Sequence, residues 1–260
     1  MGTEKDIACL WQQLGKEDAV CFDVDSTLVT GEFIDEFASY LGVGNKVQEV
    51  TLRAMGGGMK FCEALKERLT IMQPTSTDLK TFAESEQLSL TDGVRRLVEV
   101  LNSMQVDIYL ISGGFDQLIF PVARLLSIPE ENVFANRLLF DEKGQYIGFD
   151  EEQPTSQAGG KGKAIEALKQ RKIYRHVIMV GDGATDAEAC PPADAFIGFG
   201  GNVTRESVKK LCSFYVYSFE ELIELLKGEK SEIIEDVENG PKKVKSSSIN
   251  HNNTTSQIRF

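Results

Sequence analysis

Short apolar runs rich in β-branched residues alternate with helical patterns along most of this 260-residue chain. Each run ends in glycine or a polar turn, a pattern that predicts an α/β protein in which helices flank a parallel sheet. The predicted core strands are residues 20–23, 107–112, 132–134, 177–181, 195–198 and 214–217. The predicted helices are residues 93–104, 116–126, 161–171, 186–190, 204–211 and 219–226. Two further extended pieces, 137–140 and 146–149, flank a polar turn and predict a hairpin.

One interval, from about residue 32 to 91, breaks this alternation because it contains no convincing strand. Its apolar residues follow helical spacing, as Phe33, Phe37 and Leu41 do. We therefore expect an all-helical cap inserted after the first strand, over the edge where α/β sheets bind ligands. The predicted organisation is an N-terminal helical segment at 1–18, an α/β core at 19–31 and 92–227, the cap at 32–91 and a disordered tail at 228–260.

The charge balance is acidic, with 28 Lys plus Arg against 40 Asp plus Glu. This balance argues against a nucleic acid or an anionic membrane as the main partner and favours a small-molecule substrate. Five cysteines without CxxC spacing predict reduced thiols rather than a disulfide framework or a zinc site. No apolar stretch is long enough to span a bilayer, and the N-terminal residues match neither a secretory signal nor a transit peptide. We therefore expect a soluble, cytoplasmic protein.

Polar clusters stand where the predicted strands end. The first contains Asp23 and Asp25, whose side chains would share one face of a strand and repel each other unless a cation or a proton lies between them. Such a pair also occurs in ordinary turns and helix caps. The second cluster is Ser112 with Gly113, where a hydroxyl and backbone N–H groups can bind an anion, although a common glycine turn has the same sequence.

Two more clusters lie in the second half of the chain. Lys161, in the sequence GGKGK, opens a predicted helix and could hold a cation against a phosphate, although a loop with solvated lysines fits equally well. Asp182 and Asp186, in the sequence GDGATD, lie one helical turn apart and can face one pocket. Oxygen ligands with no histidine nearby suit Mg²⁺ rather than Zn²⁺. The four clusters together indicate phosphoryl-transfer chemistry.

The order Asp-x-Asp, Ser, Lys and Gly-Asp-x-x-x-Asp resembles the haloacid dehalogenase superfamily of phosphohydrolases. From about residue 18 to 226 the chain looks like one family, the phosphoserine phosphatases. The matching segments are CFDVDST at 21–27, RAMGG at 53–57, Phe61, AL at 64–65, ERL at 67–69, LISGGF at 110–115, VFANRL at 133–138, GGKGK at 159–163 and GDGATDAEAC at 181–190. The resemblance implies a Rossmann-like core with a helical cap, and Mg²⁺-dependent hydrolysis of L-phosphoserine to L-serine and phosphate, the last step of serine biosynthesis. A homodimer is a further expectation at the level of the family.

By position, the resemblance implies that Asp23 is the nucleophile that forms an aspartyl-phosphate and that Asp25 is the general acid and base. Mg²⁺ would be held by the Asp23 carboxylate, the Asp25 backbone carbonyl and Asp182, with Asp186 in support. The implied substrate-binding residues are Glu32, Met55, Gly56, Arg68, Ser112, Gly113, Lys161 and Thr185. Among them, Glu32 would recognise the ammonium group of phosphoserine and Arg68 its carboxylate.

Three alternatives remain open at this point. The same residues could act on another small phosphomonoester, such as phosphohomoserine or a sugar phosphate. A phosphorylatable receiver domain also combines an acidic pocket with Ser or Thr and Lys, but receivers are shorter, have no helical cap and lack an acid that corresponds to Asp25. A non-catalytic relative is disfavoured because every expected catalytic residue is present. The two histidines, His176 and His251, lie before a strand and in the tail, so we expect no histidine-based catalysis.

Overall fold

The centre of the computed structural model, which describes residues 2–55, 59–85 and 88–228, is a parallel sheet. Its strands are β1 (Asp18–Phe22), β2 (Asp107–Phe115), β3 (Val133–Asn136), β6 (His176–Gly181), β7 (Ala195–Phe199) and β8 (Tyr215–Val216), and a separate antiparallel hairpin contains β4 (Leu138–Phe140) and β5 (Tyr146–Phe149). The sheet order is β3-β2-β1-β6-β7-β8, and all neighbouring strands are parallel. The predicted α/β class with a parallel, helix-flanked sheet is therefore confirmed.

Strand β1 lies inside the sheet and is buried along its whole length. Because successive side chains of a strand point to opposite faces, Val20 and Phe22 pack into one apolar core, while Ala19 and Cys21 pack into a second. Burial on both faces explains why this strand has a continuous apolar sequence rather than an alternating one. The strand ends directly before Asp23, which places that carboxylate at the carboxyl edge of the sheet.

Eleven α-helices accompany the sheet in the described residues. They are α1 (Glu4–Gln12), α2 (Phe33–Tyr40), α3 (Gly44–Met55), α4 (Phe61–Met72), α5 (Ser76–Ser85), α6 (Val94–Ser103), α7 (Asp116–Leu125), α8 (Gly160–Arg171), α9 (Ala184–Ala187), α10 (Glu206–Lys209) and α11 (Phe219–Leu226). Helices α2 to α5 follow one another between β1 and α6, and Phe37 packs on Phe82 with ring centroids 5.1 Å apart. Among the helices of the described residues, none is both long and apolar enough to cross a bilayer. The division into core and cap stays a prediction, and the predicted tail lies, from residue 229 onward, outside the described residues.

Several elements have different bounds in the structure, and β2 runs to Phe115, three residues beyond its predicted end at 112. The helix predicted at 186–190 spans Ala184–Ala187, because Pro191 and Pro192 follow and disfavour helical backbone before them. The helix predicted at 204–211 spans only Glu206–Lys209, since Arg205 before it has extended backbone and turns its side chain towards Asp182. The last strand is shorter than predicted and covers Tyr215–Val216.

The two ends of the described chain pack together. Trp11 of α1 is completely buried, and its indole Nε1 donates a hydrogen bond to the Leu222 carbonyl of α11 at 2.9 Å. Thr3 caps α1, because its hydroxyl accepts from the Asp6 N–H at 3.3 Å while the Asp6 carboxylate accepts from the Thr3 N–H at 2.8 Å. The N-terminal helix is thus part of the packed structure.

Candidate active site

Functional side chains meet at the carboxyl edge of the sheet because β1, β2 and β6 are neighbours. Asp23 continues from β1, and its N–H still donates to the Val180 carbonyl of β6 at 2.9 Å. Ser112 belongs to β2, and Asp182 follows the end of β6. Parallel strands bring their carboxyl ends to one edge, so residues that are far apart in sequence share one pocket here.

Lys161 bridges two carboxylates at the bottom of this pocket. Its Nζ lies 2.7 Å from Asp23 Oδ1 and 2.6 Å from Asp186 Oδ1, and its side chain is 9% exposed. Burial alone would lower the pKa of Lys161, but Asp186 and Asp23 outweigh burial and raise it, so the ammonium stays charged. Helix α8 can enter the pocket because residue 160 is glycine: a Cβ there would lie 2.8 Å from the Thr155 Cα.

Asp25 occupies a different environment from its neighbour Asp23. Its Oδ1 accepts from the Phe33 N–H at 2.9 Å, and its Oδ2 accepts from the Ser112 hydroxyl at 3.3 Å. Burial, followed by the charges of Asp23 and Glu32, raises the pKa of Asp25 to about 8. At neutral pH this carboxyl therefore holds a proton that it can donate, as a general acid must.

The turn that carries Asp25 contains an unusual backbone conformation. Ser26 has a φ of +54°, in the left-handed region that non-glycine residues seldom occupy. Its N–H donates to the Gly31 carbonyl at 3.0 Å, and its hydroxyl donates to Glu32 Oε1 at 2.7 Å. These bonds close the turn between the end of β1 and the start of α2.

Three carboxylates could hold a metal ion. Oxygen atoms of Asp23, Asp182 and Asp186, all buried, lie within 4.8 Å of one another. Oxygen-only donors are the ligands that Mg²⁺ prefers, so this set fits the predicted cofactor. Burial and then the charge of Asp23 raise the pKa of Asp182, and Asp182 Oδ1 accepts a hydrogen bond from the Thr27 hydroxyl at 3.3 Å.

The residues predicted to bind phosphate are held by a short hydrogen-bonded chain. The Gly114 N–H donates to the Ser112 hydroxyl oxygen at 2.8 Å, and Asn136 Nδ2 donates to the Gly113 carbonyl at 2.7 Å. The Ser112 oxygen accepts this bond while its hydrogen is donated to Asp25 Oδ2, so binding an anion through this hydroxyl requires the hydrogen to rotate away from Asp25. These bonds fix the last residues of β2 before any anion binds.

The remaining predicted residues are less tightly held. Glu32 precedes α2, and burial raises its pKa. Arg68 lies on α4 and donates through Nε to the Ala64 carbonyl of its own helix at 3.3 Å. Burial lowers the pKa of Arg68, and nearby Asp35 and Glu32 oppose this effect. Thr185 is exposed on α9, the Met55 side chain is not described, and Gly56 lies outside the described residues.

The sequence analysis missed Arg205, which reaches the centre of the site. Arg205 Nε donates to Asp182 Oδ2 at 2.8 Å, and its Nη2 lies 3.3 Å from Glu32 Oε1. It follows β7, the next strand along the same edge. A signal was available, because Gly200-Gly201 after this predicted strand is the same kind of strand-end turn as the other clusters.

Comparison with known proteins shows the family of this chain. Residues 17–194 match the haloacid dehalogenase-like hydrolases. The phosphoserine phosphatase of Homo sapiens is 52% identical over 206 residues, which are 79% of this chain and 92% of the human protein. The chain belongs to the phosphoserine phosphatase family of haloacid dehalogenase-like hydrolases. This membership makes it an enzyme, and the resemblance seen in the sequence is confirmed.

Solved structures place the fold in the same family. A phosphoserine phosphohydrolase-like protein from Francisella tularensis has a TM-score of 0.71 at 28% identity, covering 80% of this chain and 99% of that protein. The structure of DsGPDH of Dunaliella salina has a TM-score of 0.75 at 34% identity over 87% of this chain, which spans only 38% of that longer protein. The sheet and the helices around it thus have the fold of this family.

Proposed function

We propose that this enzyme is an Mg²⁺-dependent phosphomonoesterase that hydrolyses L-phosphoserine to L-serine and phosphate through an aspartyl-phosphate intermediate. One observation carries the proposal: Asp23, bonded to the Lys161 ammonium, lies beside Asp25, whose raised pKa keeps a proton available. A nucleophile, an acid and a phosphate-binding cation in one pocket are the groups that this reaction requires. The 52% identical human phosphoserine phosphatase supports the choice of substrate.

In the first step, a carboxylate oxygen of Asp23 forms a bond to phosphorus and the bond from phosphorus to the serine oxygen breaks. Both described contacts of the Asp23 carboxylate, from the Val24 N–H at 2.7 Å and from Lys161 at 2.7 Å, go to Oδ1. We therefore assign the attack to Oδ2. The Asp25 proton moves to the leaving serine oxygen, because an alkoxide is too basic to leave unprotonated.

In the second step, water attacks the phosphorus of the aspartyl-phosphate. Asp25, now a carboxylate, accepts the proton of this water, and the Asp23 carboxylate is released with inorganic phosphate. Throughout both steps, Lys161, Ser112 and the Gly113 N–H would hold the phosphoryl oxygens as charge shifts among them.

The metal and the amino-acid end of the substrate complete the proposal. Mg²⁺, held by the Asp23 carboxylate, the Asp25 backbone carbonyl and Asp182 with Asp186 in support, would reduce the repulsion between nucleophile and phosphate. Glu32 would bind the ammonium group of phosphoserine and Arg68 its carboxylate. Further substrate contacts are proposed for Met55, Gly56 and Thr185.

The experiment is a phosphate-release assay with purified protein and L-phosphoserine. We expect turnover with Mg²⁺, loss of turnover on chelation, and loss of at least about 10⁴-fold in the Asp23→Asn variant because the nucleophile is gone. Asp92→Asn, which changes an exposed carboxylate, serves as the control. Absence of wild-type turnover, or full activity of Asp23→Asn, would show the proposed mechanism to be wrong.

Two further proposals concern the compartment and the assembly of the enzyme. All five cysteines are free thiols, and Cys21 is completely buried in the sheet, as suits a protein of the reducing cytoplasm. We propose that the enzyme acts in the cytoplasm, where it catalyses the last step of serine biosynthesis, and that it forms a homodimer. Cell fractionation and light scattering of the purified protein test these two points.

A further inference from the structure

Two connecting segments, 28–30 and 89–91, carry the chain from the sheet to helices α2–α5 and back. They run side by side in opposite directions, with an antiparallel bridge between Val29 and Leu90. The Thr91 N–H donates to the backbone of the first segment at 2.9 Å. The first of these segments directly continues the turn that carries Asp25, so a group that holds the pair also holds that turn.

Asn202, which follows strand β7, contacts both segments through its side-chain amide. Its Nδ2 lies 2.7 Å from Thr91 Oγ1, 3.1 Å from the Ser26 carbonyl, 3.3 Å from the Val29 carbonyl and 3.4 Å from the Thr27 carbonyl. An amide nitrogen carries two hydrogens, so the two shortest contacts are full hydrogen bonds and the other carbonyls share them. Since carbonyl oxygens only accept, only the nitrogen of the amide can face them.

The hydrogen bonds continue from Asn202 into the site. The Thr91 hydroxyl accepts from Asn202 and donates to the Thr27 carbonyl at 2.6 Å. The Thr27 hydroxyl in turn contacts Asp182 Oδ1 at 3.3 Å. The Asn202 amide therefore links both connecting segments to the turn that follows Asp25. Thr27, in this turn, extends the link to Asp182.

The loop reaches this position because residue 201 is glycine. A Cβ on Gly201 would lie 2.9 Å from the Tyr217 carbonyl and even closer to the Phe199 ring. Any larger residue would push the loop, and Asn202 with it, away from the sheet edge.

Ser26 shows what the amide stabilises. Its left-handed backbone is costly for a non-glycine residue and persists only where surrounding bonds hold it. Its N–H and hydroxyl are bonded to Gly31 and Glu32, and its carbonyl is bonded to Asn202. Removing Asn202 leaves the carbonyl without this donor, directly after Asp25.

We propose that Asn202 is a positioning residue for phosphoryl transfer: its amide holds the left-handed turn at Ser26 so that the Asp25 carboxyl faces the leaving oxygen of the substrate. This inference rests on the proposed function, because it concerns the step in which the Asp25 proton moves to that oxygen. Asn202 donates to the turn and the connecting segments, and it acts on the reaction only through Asp25.

The leaving group supplies a readout that a merely structural role would not change. When Asp23 attacks L-phosphoserine, the departing alkoxide takes the Asp25 proton as its bond to phosphorus breaks. When Asp23 attacks 4-nitrophenyl phosphate, the nitrophenolate departs with the electron pair and needs no proton. A displaced Asp25 therefore slows the first reaction much more than the second.

The experiment measures kcat/KM, which reports the step up to leaving-group departure, for wild type, Asn202→Ala and Asn132→Ala. We expect Asn202→Ala to lose about 30-fold on L-phosphoserine and no more than about 3-fold on 4-nitrophenyl phosphate. Phenyl phosphate, which has a more basic leaving oxygen but no amino-acid groups, should lose more than 4-nitrophenyl phosphate. Asn132 is the matched control because its Nδ2 donates to the Ile108 carbonyl at 3.0 Å, at the opposite end of the sheet, and its variant should keep both activities.

The outcomes separate this inference from the function on which it rests. Equal losses by Asn202→Ala on all three substrates, or no loss, would overturn the positioning role while wild-type turnover of L-phosphoserine still supports the proposed function. Absence of wild-type turnover on L-phosphoserine would overturn both. A merely structural role would lower the melting temperature without changing the ratio between the substrates.

A second variant keeps the test available if Asn202→Ala does not fold. Thr91→Val removes the hydroxyl that accepts the shortest Asn202 bond and retains the shape of the side chain. We expect the same preference for 4-nitrophenyl phosphate, with a smaller loss of about 5-fold on L-phosphoserine. An unchanged ratio in Thr91→Val would count against the inference.

Discussion

The sheet edge and the helices above it supply different halves of the site, and the structure holds them with different firmness. At the sheet edge, Lys161, Asp186 and Asp23 are almost completely buried and bonded to one another. On the other side, the Glu32 side chain is 43% exposed, and the Nε of Arg68 bonds to its own helix. The difference teaches that the groups proposed for phosphoryl transfer are held in place before substrate arrives, whereas the side chains proposed to recognise the amino acid are more exposed.

Lys161→Met tests the sheet-edge half of this comparison, and among the variants that test the comparison it should cause the largest loss of activity. The variant keeps an unbranched side chain, one atom shorter, but removes the ammonium between Asp23 and Asp186, and we expect kcat/KM on any phosphomonoester to fall about 10³-fold. Lys163→Met, in the same turn of α8 but exposed, should change it less than about 2-fold. Similar losses in both variants, measured by phosphate release, would remove the special role of the buried lysine.

A smaller and selective effect is expected from Arg68→Ala. Loss of the guanidinium should lower kcat/KM on L-phosphoserine about 10²-fold and leave 4-nitrophenyl phosphate within about 3-fold, because only the first substrate has a carboxylate. Lys66→Ala, an exposed residue on the same helix, is the control. Equal loss on both substrates would contradict the assignment of Arg68 and favour another phosphomonoester as the substrate.

The smallest expected effect is on stability, and here the variant gains rather than loses: Asp25→Asn should be more stable than wild type. The pKa of Asp25 is raised to about 8 from its ordinary value of 3.8, so between these values the folded state binds more protons than the unfolded state. Stability is therefore lost as pH rises through this window. Asparagine cannot ionise, so metal-free Asp25→Asn should unfold with a free energy at least about 1 kcal/mol higher than wild type at pH 8.

Urea unfolding at several pH values checks this sign. The advantage of Asp25→Asn should shrink as pH falls towards 4 and disappear below 3.8, where the Asp25 carboxyl is protonated in both the folded and the unfolded wild-type chain. Asp92→Asn, which changes an exposed carboxylate, is the control. A variant that is less stable than wild type at pH 8 would mean that the Asp25 carboxylate is not under electrostatic strain in the folded protein.

The sheet edge was also the part of the molecule that sequence could predict best. Asp23, Ser112 and Asp182 each follow an apolar run, and parallel pairing brings strand ends together without further information. The predicted strands accordingly lie within a residue or two of the observed ones along most of the sheet. The roles of these residues stay predictions until the assays above are done.

Arg205 and Asn202 show what sequence reasoning lacked. Neither belongs to a motif quoted from the family, and their partners at Glu32 and Ser26 are more than 170 residues away in the chain. Their positions depend on how far a loop can lean over the sheet edge, which Gly201 decides through close packing rather than through periodicity. A search for polar residues after the predicted strand at 195–198 would have found this loop. It would not have found the hydrogen bonds that the loop makes.

The contact between Trp11 and Leu222 has a practical consequence. The chain contains a single tryptophan, and its indole is enclosed between the first and the last described helices. Intrinsic tryptophan fluorescence therefore arises from one known place, between α1 and α11, and neither helix contains a residue discussed for chemistry. A shift of its emission to longer wavelength would report that the terminal helices have separated, and comparing that signal with enzyme turnover during denaturation would reveal whether the chain opens at its ends or at its catalytic edge first.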